Sequence, residues 1–207
     1  MRLKRHAAAF SVVLVLSLVF GAWEIWKYQF VPKRFGIVEQ GKIFRSGRIA
    51  PRLADKTIQK RGIKVIVDLT DDFNPHAPVC LAETEAAEKY GITRHNFPLR
   101  GDGTGNITNY AKAIAVIMQS RKEGKPVLVH CAAGVQRTGG VMAAYRLLVE
   151  KQLPATAYAE LVRYGWKARK DKILLEYLNA RLPELNALLQ DMGVIRRERR
   201  AIPEIKP

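Results

Sequence analysis

The sequence predicts an α/β fold in which a mainly parallel central sheet is flanked by helices, with an N-terminal transmembrane helix ahead of it. Three observations predict this architecture. Short apolar runs alternate with segments of helical spacing between residues 35 and 189, as in sheets whose parallel strands are connected by helices. One such run, residues 126–130, continues through a short glycine-containing loop into a helix without a gap. Residues 7–23 are an uncharged run rich in Val, Leu and Phe.

The chain divides into three predicted parts. Its 207 residues, 48% of them hydrophobic and 26% charged, are enough to bury one ordinary core. We expect a membrane anchor or signal peptide over residues 1–31, a folded domain over 35–189 and a basic C-terminal tail over 190–207. No internal repeat divides the middle part further.

The N-terminal segment has the features of an uncleaved membrane anchor. Arg2, Lys4 and Arg5 precede the apolar run, and a helix that continues past Glu24 would reach the roughly 20 residues needed to span a bilayer. A cleaved signal peptide is the alternative, although no strong small-residue cleavage pattern follows the run. The basic start favours a cytoplasmic N-terminus, which would place the domain on the outer side of a bacterial inner membrane. A domain that faces the cytoplasm and a secreted protein are also compatible with this segment.

Each element of the folded domain follows from a local pattern. Two β-like runs around Gly41 predict a small edge hairpin. Almost continuous apolar runs predict buried strands, and helical spacing that ends at a glycine predicts helices. The loop 100–106, with three glycines, is expected to be mobile. In chain order we predict a hairpin at 35–45, helix 51–61, strand 63–69, helix 79–90, strand 92–97, helix 108–122, strand 126–130 and helices 138–151, 155–166 and 172–189.

The charge of the chain indicates an anionic partner. Of the formal charge of +16, the ends account for the smaller share, with six basic residues against one acidic residue in 1–34 and five against three in 190–207. A basic domain attracts phosphorylated substrates, acidic lipids or nucleic acid. No nucleic-acid-reading motif is present, so nucleic acid is not expected as the partner.

The two cysteines, Cys80 and Cys131, are too few for a disulfide scaffold and lack the paired spacing of a zinc site. We therefore expect no metal and no other cofactor. A reversible disulfide between them would need an oxidising compartment and a short distance, which the sequence does not give.

The loop 131–138 carries the predicted chemistry. Its backbone amides, between a strand and a helix N-terminus, can form a concave nest for phosphate oxygens, and Gly134 avoids the crowding of a Cβ. The same amides and the helix dipole stabilise a negative sulfur, so we predict that the pKa of the Cys131 thiol lies well below about 8.5. Cys131 would then be a nucleophile at neutral pH. The predicted phosphate-binding residues are Ala132, Ala133, Gly134, Val135 and Gln136.

Three further side chains are expected to assist this thiolate. Arg137 follows Cys131 by six positions, so a curled loop can bring its planar guanidinium back to two phosphate oxygens. The hydroxyl of Thr138 can donate to the sulfur and help the thiolate to leave. We expect His130 to orient the loop through a hydrogen bond rather than to act as a base.

The segment VLVHCAAGVQRTG resembles the HCxxGxxR[ST]G signature of the cysteine-dependent protein tyrosine and dual-specificity phosphatases. GKIFRSG and GIKVIVDL are also similar to segments of the small, mostly bacterial and fungal, dual-specificity-like phosphatases. The resemblance covers residues 35–189 and implies a phosphatase catalytic domain there, an α/β fold, a phosphocysteine intermediate and no metal. A rhodanese-like sulfur carrier also has a cysteine in such a loop, but the pair Arg137 and Thr138 argues against it.

The resemblance further implies a general acid on a mobile loop. Asp102 lies in RGDGTGN, 29 residues before Cys131, where family members place the carboxylic acid that protonates the leaving oxygen. Asp71 and Asp72, which follow a predicted strand, are the alternatives because either could reach the same edge of the sheet. Asp68 is expected to be structural.

Three functions are compatible with the sequence. The first is a phosphatase for phosphotyrosine in proteins, with or without phosphoserine and phosphothreonine. The second is a phosphatase for a phospholipid or an inositol phosphate, although Val135 and Gln136 stand where enzymes of that kind often have lysine. The third is a phosphate-binding adaptor that has lost turnover. The expected partners are a phosphorylated protein or small molecule and a membrane; the oligomeric state is open.

Overall fold

The computed structural model describes residues 14–23, 26–71, 74–198 and 201–207. The chain forms two units, each defined by the contacts within it: Met1–Val31 and Pro32–Pro207. In the first unit, residues 14–23 are helical and Lys27–Gln29 form a 3-10 helix. The second unit contains the sheet and the helices that surround it.

The prediction of an N-terminal transmembrane helix is wrong. None of the helices in the described ranges has both the length and the apolar character needed to cross a bilayer. Residues 1–13 and 24–25 of the predicted anchor lie outside the described residues.

One five-stranded sheet forms the centre of the second unit. Its strands are β1 Gly36–Glu39, β2 Ile43–Gly47, β3 Val65–Asp68, β4 Thr93–Asn96 and β5 Val127–Cys131. They lie in the order β1-β2-β5-β3-β4. β1 runs antiparallel to β2, and the other three neighbouring pairs are parallel. The predicted hairpin is therefore present, but β2 is an inner strand because it also pairs with β5.

Helices cover both faces of this sheet. They are α1 Pro51–Arg61, α2 Pro78–Tyr90, α3 Ile107–Lys122, α4 Gln136–Ala144, α5 Pro154–Arg163 and α6 Lys172–Asp191, with a π-helical turn Tyr145–Val149 that continues α4. Side chains of β5 alternate between two cores, since successive residues of a strand point to opposite faces. Leu128 packs with residues of α1 and α2, whereas Val127, Val129 and Cys131 pack with residues of α3 to α6.

The C-terminal segment folds back onto the domain. Ile205 is fully buried in the larger core. Its N–H donates to Asn179 Oδ1 at 2.8 Å, and its carbonyl oxygen accepts from Asn179 Nδ2 at 3.1 Å. The segment predicted as a basic tail thus contributes an apolar side chain to the core.

We expect Ile205→Ala to lower the free energy of unfolding by about 2–4 kcal/mol, because truncation of a buried isoleucine loses its transfer free energy and leaves a cavity. Lys206→Ala, at an exposed neighbouring position, should change it by no more than about 0.5 kcal/mol. Urea unfolding measures both. Equal midpoints for the two variants would show that the segment does not contribute to the stability of the domain.

Candidate active site

Parallel strands bring the candidate residues to one edge of the sheet. In the register of the sheet, Gly47 of β2 is opposite Cys131 of β5, and Asp68 of β3 is opposite His130 of β5. Loops at the carboxyl ends of parallel strands are where ligands bind in α/β sheets. The loop after β5 therefore lies between the ends of two other strands.

Two glycines fix the curvature of this loop against the end of β2. Gly134 has a φ of +75°, and a Cβ there would lie 2.5 Å from the nitrogen of Gly47. A Cβ at Gly47 would in turn lie 2.8 Å from the carbonyl oxygen of Ala133. A side chain at either position would push the two backbone segments apart. The N–H of Arg48 adds a hydrogen bond to the carbonyl oxygen of Ala132 at 3.2 Å.

The helix after the loop begins two residues earlier than predicted. Its first residue is Gln136, because the N–H of Gly139 already donates to the carbonyl oxygen of Val135 at 2.8 Å. Arg137 and Thr138 therefore lie in the first turn of α4. The first N–H groups of a helix have no partner within it and carry the positive end of its dipole. These groups are available to an anion at the loop.

The thiol of Cys131 lies at the bottom of the loop and is 1% exposed. The N–H of Gly134 donates to its sulfur at 3.2 Å. Burial raises the pKa of the Cys131 thiol, but the hydroxyl and N–H of Thr138, the N–H of Gly134 and the charge of Arg137 outweigh it and bring that pKa below its ordinary value.

The guanidinium of Arg137 is buried and already has a carboxylate partner. Its Nη1 donates to Asp71 Oδ1 at 2.5 Å and approaches the carbonyl oxygen of Leu99 at 3.5 Å. Asp71 remains about half exposed, so its side chain can move away from the guanidinium. A phosphate in the loop would therefore compete with Asp71 for Arg137.

Asp102 lies in the loop between β4 and α3 and is bound to a neighbour in that loop. Its Oδ1 accepts from the N–H of Thr104 at 2.9 Å and from the hydroxyl of Thr104 at 2.7 Å. Burial raises the pKa of the Asp102 carboxyl, but these hydrogen bonds and the charge of Arg100 hold that pKa below its ordinary value. In this conformation Asp102 is therefore a carboxylate.

The loop of Asp102 is tied to the start of α4. Tyr110 of α3, which is fully buried, donates its hydroxyl to the carbonyl oxygen of Gly103 at 2.5 Å. A Cβ at Gly103 would lie 3.2 Å from the carbonyl carbon of Gln136. The charges of both Asp102 and Cys131 act on Tyr110, whose pKa is raised mainly by burial. The structure thus places the loop of Asp102 against the first turn of α4. Of the alternative acids, Asp71 faces Arg137, and Asp72 lies outside the described residues.

His130 points away from the loop into a buried ion pair that the sequence did not predict. Its Nε2 lies 3.1 Å from Glu83 Oε2, and Glu83 Oε1 accepts from Arg94 at 2.8 Å. Burial lowers the pKa of His130, but Glu83, Asp68 and the charge of Cys131 raise it to about 9. Burial raises the pKa of Glu83, but His130 and Arg94 lower it to about 2. His130 is therefore a cation directly before the thiolate.

Arg45 of β2 supports the loop that follows β5. It is completely buried in β2 and donates to the carbonyl oxygen of Gly134 at 3.1 Å and to Glu160 Oε1 at 2.7 Å. Its guanidinium carbon lies 3.8 Å above the ring of Tyr164. Arg146 binds the other oxygen of Glu160 at 2.7 Å. The loop carbonyl is thus held by a cation that is itself fixed by an ion pair.

Sequence reasoning missed Arg45, Glu83 and the pairing of Asp71. Signals for the first two were present: Arg45 interrupts an apolar strand, and Glu83 lies three residues from both Cys80 and Ala86 on the buried face of α2. A charge at a core position needs a partner. The identity of that partner follows only from the tertiary structure. In the described ranges, no group of three or more His, Cys, Asp or Glu residues could hold a metal ion.

A family model described as the catalytic domain of dual specificity phosphatases matches residues 49–182. Among curated proteins, the dual specificity protein phosphatase OPG106 of vaccinia virus is 34% identical over 77 residues, which are 34% of this chain and 45% of that protein. The match therefore spans less than half the length of this relative.

Solved structures of two other proteins have the same fold. One is TpbA of P. aeruginosa in complex with pTyr, with 16% identity, a TM-score of 0.56 and coverage of 76% of this chain and 96% of that chain. The other is PTPMT1 in complex with PI(5)P, with 17% identity, a TM-score of 0.61 and coverage of 74% of this chain and 97% of that chain. At these identities the likeness shows the shared fold alone.

The pair of His130 and Glu83 predicts how stability depends on pH. Because the folded-state pKa of His130 is raised from 6.5 to about 9, its contribution is complete below pH 6.5 and is lost as the pH rises through 9. Glu83→Gln should remove this decline in the free energy of unfolding and lower that free energy by about 3 kcal/mol near neutral pH, since the stabilisation that Glu83 gives to protonated His130 is lost. Urea unfolding between these pH values measures both effects. Unchanged pH dependence in Glu83→Gln would contradict the assignment.

Proposed function

We propose that this chain, which belongs to the dual specificity phosphatase family, hydrolyses phosphate monoesters through a cysteinyl-phosphate formed on Cys131. The observation that carries the proposal is the buried sulfur of Cys131, which accepts from the N–H of Gly134 at 3.2 Å directly before the first turn of a helix. The catalytic domain is residues 35–189, with 1–31 and 190–207 as flanking segments. No metal or other cofactor takes part in this scheme.

Binding begins with an exchange of partners at Arg137. The phosphate oxygens accept from the amides of residues 132–137 and from the guanidinium of Arg137, which Asp71 holds in the free protein. A planar guanidinium can bind two equatorial oxygens and receive the charge that spreads over them during transfer. Displacement of Asp71 costs an ion pair, so affinity for phosphate is lower than the loop alone would give.

In the first chemical step, the thiolate of Cys131 attacks phosphorus and the bond from phosphorus to the leaving oxygen breaks. Asp102 gives its proton to that oxygen. Because the carboxyl of Asp102 is held ionised by Thr104, it must leave this partner and take up a proton when substrate covers the loop. Water then attacks the cysteinyl-phosphate, Asp102 accepts the proton of that water, and the thiolate leaves as inorganic phosphate forms.

Thr138 and His130 act on the thiolate rather than on the substrate. The hydroxyl of Thr138 lowers the pKa of Cys131 and stabilises the sulfur as it leaves in the second step. His130, kept cationic by Glu83, adds positive charge behind the loop and fixes the end of β5. Both residues make the sulfur a better leaving group.

Two substrate classes are compatible with this chemistry. The neighbour TpbA was solved with pTyr, and the neighbour PTPMT1 was solved with PI(5)P. We assign to this chain either phosphotyrosine in proteins, with or without phosphoserine and phosphothreonine, or a phosphorylated lipid or inositol. A phosphate-binding adaptor without turnover is the candidate from another functional class.

We expect Cys131→Ser to lower the kcat for an aryl phosphate by about 10⁴-fold or more, because the nucleophile is lost. Cys80→Ser, the matched control at the other cysteine, should keep its activity, and a chelator should not change either rate. In Thr138→Val, ultraviolet titration of the thiolate should show a higher pKa for Cys131. Phosphate bound tightly by the unsubstituted chain without turnover would instead establish the adaptor.

Two substitutions that replace a carboxylate by a carboxamide test whether Asp102 is the general acid. Asp102→Asn should lower kcat by about 10²-fold for a substrate with a poor leaving group and much less for an activated aryl phosphate. Asp71→Asn should leave the chemical step intact and lower KM by up to about tenfold, because phosphate no longer displaces an ion pair from Arg137. Asp55→Asn, on the exposed face of α1, is the control. Equal losses of kcat in the Asp71 and Asp102 variants would remove the assignment of Asp102.

A further inference from the structure

Consecutive carbonyl groups of the phosphate loop, those of residues 132–135, each accept a hydrogen bond. The first three bind donors that precede the loop by more than 80 positions, and the fourth binds a donor of α4. The pairs are the N–H of Arg48 with Ala132 at 3.2 Å, Arg34 Nη1 with Ala133 at 3.0 Å, Arg45 Nη2 with Gly134 at 3.1 Å and the N–H of Gly139 with Val135 at 2.8 Å.

These hydrogen bonds also set the direction of the loop amides. A trans peptide unit is planar, and its N–H points opposite to its C=O. Donors that hold the carbonyls of residues 132–135 therefore turn the N–H groups of residues 133–136 the other way. The N–H of Gly134 shows this direction, because it donates to the sulfur of Cys131 at 3.2 Å. The amides that face an anion are thus oriented from behind, through their own peptide planes.

Arg45 is fixed on both sides of its guanidinium. Its Nη2 donates to the carbonyl oxygen of Gly134, while its Nη1 donates to Glu160 Oε1 at 2.7 Å. The ring of Tyr164 lies 3.8 Å from its guanidinium carbon, and Arg146 binds the other oxygen of Glu160 at 2.7 Å. A guanidinium with these partners cannot follow the carbonyl of Gly134, so it fixes the peptide unit between residues 134 and 135.

Arg34 is held in a similar way at the preceding peptide unit. Its φ is +45°, which is uncommon for a residue with a side chain. Gly165 packs beside its guanidinium, since a Cβ there would lie 3.3 Å from Arg34 Nε and 3.8 Å from Val135 Cγ2. Gly165 directly follows Tyr164. One turn after α5 therefore contacts both arginines that bind the loop carbonyls.

Resting on the proposed function, we infer that Arg34 and Arg45 are positioning residues for phosphoryl transfer. Through the carbonyls of Ala133 and Gly134, they direct the N–H groups of Gly134 and Val135 at the sulfur and at the transferred phosphoryl group. Amides that are already oriented stabilise the developing charge without reorganisation. Both arginines precede the family match at 49–182, so this support for the loop comes from outside the matched residues.

The two arginines act on different amides and therefore have different effects. Arg34 holds the peptide whose N–H belongs to Gly134, one of the groups that lower the pKa of Cys131. Loss of Arg34 should raise that pKa and weaken anion binding. Arg45 holds the peptide whose N–H belongs to Val135. Loss of its contact should weaken anion binding at the Val135 amide, with a smaller effect on the thiolate.

The kinetic test removes the donor of Arg34 from the full chain. Arg34→Met should lower kcat/KM for an aryl phosphate and weaken inhibition by vanadate, each by about tenfold, because an amide that binds charged atoms loses its orientation. Ultraviolet titration should show the Cys131 thiolate forming at higher pH. Lys33→Met is the control, since it removes an equal charge that also acts on Cys131. In about 1 M salt, which screens exposed charges, the loss in Lys33→Met should shrink and that in Arg34→Met should persist.

Nuclear magnetic resonance tests which arginine orients which amide. Vanadate should shift the amide protons of Gly134 and Val135 in the unsubstituted chain, because both donate to its oxygens. Arg34→Met should reduce the shift at Gly134 more than that at Val135. Arg45→Lys, which keeps a cation beside Glu160, should reduce the shift at Val135 more than that at Gly134. These shifts report anion binding in the folded chain and do not depend on turnover.

A second variant covers the buried position. If circular dichroism shows that Arg45→Lys is unfolded, Tyr164→Leu, which removes the ring beside the guanidinium, should give the same selective loss at Val135. Equal responses of the two amides, or a loss in Arg34→Met no larger than that in Lys33→Met, would overturn the positioning roles. Selective amide responses in a chain that hydrolyses no phosphate ester would instead overturn the proposed catalysis and leave the orientation of the loop by the two arginines in place.

Discussion

The site depends on one constraint, which is that a negatively charged sulfur must be stable at a position with almost no access to water. Cys131 is 1% exposed, and burial acts against its ionisation. The compensation comes from amides of the loop and of the first turn of α4, which the backbone holds in place, and from the hydroxyl of Thr138. A preorganised set of donors costs no reorganisation when charge develops on the substrate. The curvature set by Gly134 and Gly47 therefore has two effects: it avoids a steric clash between the loop and β2, and it points the loop amides at the charged sulfur.

Cations around this sulfur have carboxylate partners. His130 is paired with Glu83, Arg137 with Asp71, and Arg45 with Glu160. Pairing allows a guanidinium or imidazolium to be buried next to the loop, since an unpaired buried charge is strongly destabilising. The pairs differ in exposure. Glu83 and Glu160 are largely buried with their partners, whereas Asp71 is about half exposed and can give way to substrate.

What the sequence predicts well is what depends on neighbours along the chain. The strand before Cys131, the loop and the helix after it follow from local apolar patterns and glycines, and the structure has them within two residues of the predicted bounds. The pairing of Arg137 with Asp71, 66 positions apart, and of Arg45 with Glu160, 115 positions apart, depends on the packing of separate elements. The transmembrane prediction failed for the opposite reason. Local hydropathy was its whole basis, and no helix in the described ranges is both long and apolar enough to cross a bilayer.

The groups proposed to act on the phosphoryl group come from separate elements. Cys131 ends β5, whereas Asp102 lies in the loop between β4 and α3. The loop of Asp102 is held at its place by the hydrogen bond from Tyr110 to the carbonyl oxygen of Gly103. The loop after Cys131 is fixed against the end of β2 by the close approach of Gly134. The geometry of the candidate site therefore depends on backbone contacts of glycines in two loops, because a side chain at either glycine would push neighbouring segments apart.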